Sequence, residues 1–167
     1  MLKKFSFDTP LGWMVAISNE EALVLLEFRD HNQKLNRKIN ALNRATIPGT
    51  TQSIISIQDE LLRYHEGTLE GFKTPFHLSG TSFQQRTWKA LQTIPYGKTV
   101  SYGDLASAIG RPTSCRAVAQ AVGANRFAIL IPCHRVINKD GKLGGYAGGV
   151  TRKQSLLSME QTNRDRG

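Results

Sequence analysis

Hydrophobic and polar positions change period along this chain, and the change divides it in two. Phe5-Ser6-Phe7 alternates like a strand and runs into a turn at Thr9-Pro10-Leu11-Gly12. Trp13 to Ser18 and Leu23 to Phe28 are apolar, β-leaning runs on either side of the polar turn Asn19-Glu20-Glu21. The spacing then becomes helical. Leu35, Ile39 and Leu42 recur every three or four residues, and Ile54, Ile57, Leu61 and Leu62 do so again before Gly67, a plausible stop. The first half is therefore expected to be a small antiparallel sheet with helices, an α/β domain over 1–79. Its last stretch, Glu70 to Thr81 with Gly71, Pro75 and Gly80, reads as a linker.

The second half, 80–167, reads as mainly helical, which makes the whole chain α+β. Ser82-x-x-Gln85 has the form of a capping box for a helix to about Ile94, buried on Phe83, Trp88 and Leu91 and stopped by Pro95-Tyr96-Gly97. Ser101-x-x-Asp104 opens the next helix, buried on Leu105 and Ile109 and closed by Gly110 and Pro112. A third runs from about Ser114 to Gly123. Two short helices around Gly110-Arg111-Pro112-Thr113 match a helix-turn-helix over about 102–124, with an ordinary helical hairpin as the alternative. A helical count puts Cys115, Val118, Ala119 and Val122 on the core face of the third helix, which makes Cys115 a buried, inert thiol. The opposite face is Ala117, Gln120, Ala121 and Ala124, with Arg116 at its flank. A solvated face normally carries Lys and Glu; a smooth alanine face with one arginine suits close approach to another surface, and a DNA minor groove is narrow enough to demand that. A last helix, near Thr151 to Glu160, follows the loop Gly144-Gly145-Tyr146-Ala147-Gly148-Gly149. That loop lacks the regular dinucleotide-binding spacing and reads as backbone passing close to a ligand.

Charge sharpens the division. The net charge is +9, yet residues 1–79 hold nine basic and nine acidic residues. Residues 80–167 hold thirteen basic and four acidic residues, so the whole excess lies in the second half. A basic surface of this kind points to an anionic partner, with nucleic acid the commonest, and a general solubility charge is the alternative. No stretch has the form of a signal peptide or the roughly 20 apolar residues of a membrane helix, so no membrane association is expected. Two cysteines without CxxC spacing fit a reducing compartment, and a cytoplasmic location follows. His31, His65 and His77 lie scattered in the first half, where there is no cysteine, so neither a metal nor another cofactor is expected.

The densest chemistry is Ile131-Pro132-Cys133-His134-Arg135-Val136. A free cysteine is only about 3% thiolate at pH 7, and a neighbouring imidazole is a standard way to raise that fraction. His134 is the only histidine in the second half. If the segment is an extended strand the two side chains point apart, and a turn after Pro132 or a bridging water is needed. Glu160 is the candidate to orient the base, because a carboxylate in the last turn of a helix opposes the macrodipole and needs a cationic or N–H partner; the alternative is a solvated surface glutamate. Asn125 reads either as a plain helix C-cap or as a tie between the third helix and the Cys133 strand. An activated thiol alone also fits a cysteine hydrolase, and the basic helical half alone fits a non-catalytic reader of modified DNA.

Four motifs in fixed order resemble one family. Pro132-Cys133-His134-Arg135, the run Ile94-Pro95-Tyr96-Gly97-Lys98-Thr99-Val100-Ser101-Tyr102, Arg116-Ala117-Val118 and the Gly145-to-Gly149 loop together resemble the C-terminal domain of O6-alkylguanine-DNA alkyltransferases, across Ser82 to Glu160. The first half resembles that family's N-terminal domain more weakly, through Thr9-Pro10-Leu11-Gly12, which implies an RNase H-like sheet. The resemblance implies irreversible, single-turnover alkyl transfer to Cys133 from O6-alkylguanine in duplex DNA, with O4-alkylthymine a second candidate lesion, by a monomer. It implies His134 as a water-mediated base, Glu160 as its orienting partner, Asn125 as the holder of the turn and Tyr102 as donor to the leaving guanine. Arg116 would fill the gap left by the flipped base, while Ala117, Gln120, Ala121, Ala124, Tyr102 and Arg126 would lie on the DNA. Val136, Tyr146, Ala147, Gly148 and Lys153 would line the pocket. Arg126 stands where many relatives have proline and Ala147 where some have serine, and the first half lacks the cysteines that bind zinc in some relatives.

Overall fold

The computed structural model describes residues 1–30 and 32–166; His31 lies outside them. The chain forms two compact units, Met1–Leu78 and Ser79–Gly167. In the first, strands β1 (Leu2–Phe7), β2 (Met14–Ser18) and β3 (Leu23–Phe28) form an antiparallel meander. Every residue of β2 and β3 is buried, which explains their continuous apolar runs in place of strict alternation. Helix α1 (Asn32–Ala41) covers the sheet with Leu35, and Ile39 packs beside it. Strand β4 (Thr46–Pro48) then pairs with β1 in parallel, giving the order β3-β2-β1-β4. The sheet is thus mixed and not wholly antiparallel as expected. Pro48 hid the fourth strand in the sequence, and an edge position is where a strand tolerates proline.

Helix α2 (Gln52–His65) is capped by Thr51, whose side chain accepts from the Ile54 N–H. It buries Ile54, Ile57, Leu61 and Tyr64, whereas Leu62 faces solvent and corrects the expected core set. The expected linker is partly structured: Pro75 to His77 strap onto Leu23 of β3, and the buried Glu60 accepts from the backbone of Lys73 and Thr74 and from the Thr74 hydroxyl.

In the second unit α3 (Ser82–Leu91) begins one residue earlier than the sequence motif implied: the capping box is Thr81 with Gln84. The doublets Thr81-Ser82 and Gln84-Gln85 offer both registers, and it is the Thr81–Gln84 pair that makes the two reciprocal hydrogen bonds. Strand β5 (Val100–Ser101) leads directly into α4 (Tyr102–Ala108), capped by the Ser101/Asp104 box as expected. Arg86 of α3 donates to the Ile109 carbonyl at the end of α4, and α5 (Cys115–Gly123) follows the turn. Trp88 of α3, 1% exposed, fastens α5 by donating from Nε1 to the Ala121 carbonyl at 2.8 Å.

Two expectations for α5 fail. Ala121 is buried beneath Trp88 along with Val118 and Val122, so it does not line the outer face. Cys115 and Ala119 are exposed; Cys115 sits in the first turn, where its Cβ leans toward the helix start and beyond the core edge. The outer face is Cys115, Arg116, Ala117, Ala119, Gln120 and Gly123, with Ala124 half-buried at its end. After a short 3-10 turn, Cys133–Arg135, strand β6 (Val136–Ile137) pairs in parallel with β5, and α6 (Val150–Arg166) closes the chain. Among the described residues no helix is long and apolar enough to cross a membrane.

Candidate active site

Proline sets the position of the thiol. Pro132 (φ −79°, ψ 61°) is the centre of an inverse γ-turn, closed by the Cys133 N–H on the Ile131 carbonyl at 2.7 Å. Its ring already holds φ near that value. Cys133 therefore opens a 3-10 turn and is not on a strand, so it and His134 are not forced to opposite faces. Upstream, Ile129 stands at φ 69°, and a hydrogen bond from the Leu130 N–H to the Ala128 carbonyl (2.8 Å) spans it. The loop between α5 and the thiol is thus two tight turns in succession.

Asn125 holds that loop. Its Nδ2 lies 3.2 Å from the Phe127 carbonyl, 3.0 Å from the Ile131 carbonyl and 3.3 Å from Cys133 Sγ, while its Oδ1 accepts from the Phe127 N–H at 3.0 Å. It is a tie, more than a C-cap, and it also presents a donor to the sulfur. Arg126, beside it, is directed to Ser79 Oγ at 2.7 Å.

His134 is fully buried, with Nε2 2.7 Å from Glu160 Oε2. Burial holds its imidazole below the usual value and outweighs the hydrogen bond and charge of Glu160, which pull upward; Arg135 and Lys153 add to the depression. Its Nδ1 is buried and has no hydrogen-bond partner among the described residues. Glu160 lies mid-way along α6, which runs on to Arg166, so the expected position in a last turn and the macrodipole argument are both wrong. What holds the carboxylate is Arg135, which donates from Nε to Oε1 (2.8 Å) and from a terminal nitrogen to Oε2 (3.0 Å). The Gly97 N–H adds a third support at 3.2 Å, from a backbone at φ 77° that favours glycine. Burial would raise the Glu160 carboxyl, yet the hydrogen bonds and charges of His134 and Arg135 hold it at about 2.

Lys153, on the first turns of α6, is also fully buried. Its Nζ donates to the carbonyls of Val136 (2.6 Å) and Gly145 (3.1 Å), pinning the glycine loop to β6. Burial lowers its amine to about 8 despite an opposing pull from Cys133. The β5–β6 pairing, Val100 opposite Val136, brings Tyr102 to the same neighbourhood. Burial pushes the Tyr102 phenol up, and negative charge at Cys133 pushes the same way.

Cys133, Asn125, His134, Glu160, Lys153 and Tyr102 are thus gathered, and Val136 and the half-buried Tyr146 and Ala147 with buried Gly148 adjoin them. Arg116, Ala117 and Gln120 lie exposed on α5. Sequence reasoning missed Arg135 and Gly97 as parts of the site. The signal was present for Arg135: an arginine in an apolar run needs an anion, and a glutamate within an otherwise packed helix needs a cation. Among the described residues no group of three His, Cys, Asp or Glu side chains is placed to hold a metal ion.

Residues 82–162 match the family model for the DNA-binding domain of 6-O-methylguanine DNA methyltransferase. The chain is 40% identical over 162 residues to the methylated-DNA–protein-cysteine methyltransferase of Mycobacterium tuberculosis, covering 97% of this chain and 94% of that protein. It is 56% identical over 92 residues to the bifunctional transcriptional activator/DNA repair enzyme Ada of Escherichia coli, covering 55% of this chain and 26% of that one. Its fold matches a crystal structure of Mycobacterium tuberculosis OGT in complex with DNA with a TM-score of 0.85 at 40% identity, over 96% of this chain and 94% of that chain. The chain belongs to the methylated-DNA–protein-cysteine methyltransferase family.

Proposed function

We propose that this protein repairs DNA by direct reversal, with Cys133 taking the alkyl group of an O6-alkylguanine in duplex DNA once and irreversibly. The observation that carries the reading is a single buried turn in which the Cys133 sulfur faces the Asn125 amide while the next residue's imidazole is held by Glu160. In the reaction, the sulfur forms a bond to the alkyl carbon as the bond from that carbon to O6 breaks, and the electron pair leaves with the guanine. The thiol proton passes through a water to Nδ1 of His134. Nε2 faces Glu160, so the neutral ring keeps its proton there and offers a lone pair at Nδ1. The departing guanine takes one proton from Tyr102, kept protonated by burial, where charge develops, and the proton left on His134 then returns through solvent to the tyrosinate. The sum is thiol and alkylguanine giving thioether and guanine. An unactivated alkyl thioether is stable to water and to nucleophiles at neutral pH, so each molecule acts once.

A thiol this buried cannot reach a base within the stack, so the lesion is flipped out, at a cost of a few kcal/mol that weakened pairing reduces. The outer face of α5 supports minor-groove entry: Ala117, Ala119 and Gln120 are small or uncharged, and the exposed Arg116 fills the emptied stack. Ala124 and Arg126 border that face, with Ala121 supporting it from within. Val136, Tyr146, Ala147, Gly148 and Lys153 form the pocket for the flipped base. One protomer supplies every group the reaction uses, and the protein acts as a monomer on DNA in the cytoplasm, without a cofactor.

Incubation with a duplex carrying O6-methylguanine, followed by mass spectrometry of the Cys133 peptide, tests the reading. The expected result is methylation of Cys133 with one lesion repaired per protein. An unmodified peptide with the lesion intact refutes it, and processing of many substrate molecules per protein favours the hydrolase alternative.

A further inference from the structure

Glu160 creates a problem for the base it serves. A buried carboxylate 2.7 Å from an imidazole favours the imidazolium, which has no lone pair and cannot accept the thiol proton. We propose that Arg135 is a positioning residue that neutralises Glu160 through a two-pronged ion pair, so that the carboxylate aims His134 without protonating it. This rests on the alkyl-transfer reading above.

The geometry is specific to arginine. A carboxylate offers about four acceptor sites, and here four donors face it: His134 Nε2, two guanidinium nitrogens and the Gly97 N–H. The planar fork of a guanidinium spans both oxygens, and its charge persists at every accessible pH. Glu160 and Arg135 together carry no net charge, so His134 meets a hydrogen-bond acceptor whose field is largely cancelled. The groups facing the imidazole are Glu160 and Lys153 from α6 and Arg135 from its own turn; Cys133 lies on that turn as well, with the phenol of Tyr102 beyond it. While Cys133 is a neutral thiol, the two cations outweigh the one anion and the imidazole stays neutral, its ring already depressed by burial. Once the sulfur is a thiolate the charges balance and an imidazolium is tolerated. Base strength thus follows the state of the sulfur.

Arg135 also reaches away from Glu160. Its remaining terminal nitrogen donates to the Ile94 carbonyl at 2.8 Å, and its guanidinium lies 5.6 Å from the centre of the Tyr96 ring. The same side chain therefore fixes the 94–97 segment that leads through β5 into Tyr102.

The test is the single-turnover rate of methyl transfer to Cys133 from pH 5 to 9, for the wild type, Arg135→Met and Arg135→Lys, with NMR titration of the His134 ring. In the wild type His134 is expected to be the neutral Nε2–H tautomer at pH 7. Arg135→Met should move the acidic limb of the rate profile, and the His134 titration, upward by at least about one pH unit, roughly tenfold in proton affinity. Its rate should rise with pH but stay below the wild-type plateau, because the contacts to the 94–97 segment are also lost, and Arg135→Lys, which keeps the charge without the fork, should return the limb only part of the way. A rate lowered evenly at all pH, an unmoved His134 titration, or a wild-type imidazolium at pH 7 overturns the proposal, the last even if Arg135→Met does not fold. A wild type that never methylates Cys133 refutes the alkyl-transfer reading instead, and the NMR titration still decides the role of Arg135.

Discussion

Asn125→Ala is the perturbation whose size the structure defines best. The side chain is 3% exposed and joins three backbone groups to the sulfur. The Ile131 carbonyl keeps the Cys133 N–H and the Phe127 carbonyl keeps the Ile131 N–H, so each loses one bond of two. Those two losses come to about 0.5–1.5 kcal/mol each, and removing the acceptor from the buried Phe127 N–H costs about 1–3 kcal/mol more. The expected destabilisation is about 2–6 kcal/mol, a large share of the 5–15 kcal/mol typical of a folded domain. A separate loss falls on chemistry. A hydrogen bond to an ionised acceptor contributes about 1.5–3 kcal/mol, so methyl transfer should slow by roughly 10- to 150-fold where the variant is still folded. Urea unfolding measures the first effect and a single-turnover assay at low temperature the second. A variant within about 0.5 kcal/mol of the wild type, an ordinary surface-substitution effect, would refute the tie, and an unchanged rate in folded protein would refute the donor role.

Three further outcomes follow from the same contacts. Glu160 titrates at about 2 in the fold and near 4.3 when unfolded, so it stabilises the protein above that range and the contribution is lost as pH falls toward 2. Urea midpoints of Glu160→Gln should lack this acid slope, and parallel curves would count against it. Lys153 titrates at about 8 in the fold and near 10.4 when unfolded, so unfolding takes up a proton between these values and stability rises with pH there. Lys153→Met should remove that rise, measured as the difference in midpoint between pH 8 and 10. Arg116→Ala should slow repair of duplex DNA by about 10-fold or more, on the scale of losing one charged contact, while sparing reaction with a free base analogue. Equal losses on both would assign Arg116 another role.

Much of the site was legible because its residues are rare types in unusual company. One histidine beside one cysteine, a capping box before Tyr102 and a glycine loop after β6 each carry their own local signal. What was not legible depended on partners distant in sequence. The α6 helix appeared to stop at Glu160 because nothing apolar follows, yet helical hydrogen bonds continue through a polar stretch to Arg166. Glu160 has the expected partner in His134, but its second partner, Arg135, lies so far away in sequence that no local pattern couples the two. The rotation of α5 was misjudged because alanine faces give a helical count little contrast, and only Trp88 decides that Ala121 is inside. Strand β4 was missed for the opposite reason, since Pro48 is a strong local signal overridden by an edge position.

Ile129 sets two requirements against each other. A branched side chain at φ 69° is unfavourable by about 1–3 kcal/mol, and glycine would relieve it. Yet Ile129 is 1% exposed, and deleting a buried aliphatic side chain costs about 2–5 kcal/mol. No single amino acid satisfies both demands, so mutational tolerance at this position should be narrow from either direction. Directed libraries meant to reshape the loop before Cys133 will therefore find few survivors at 129.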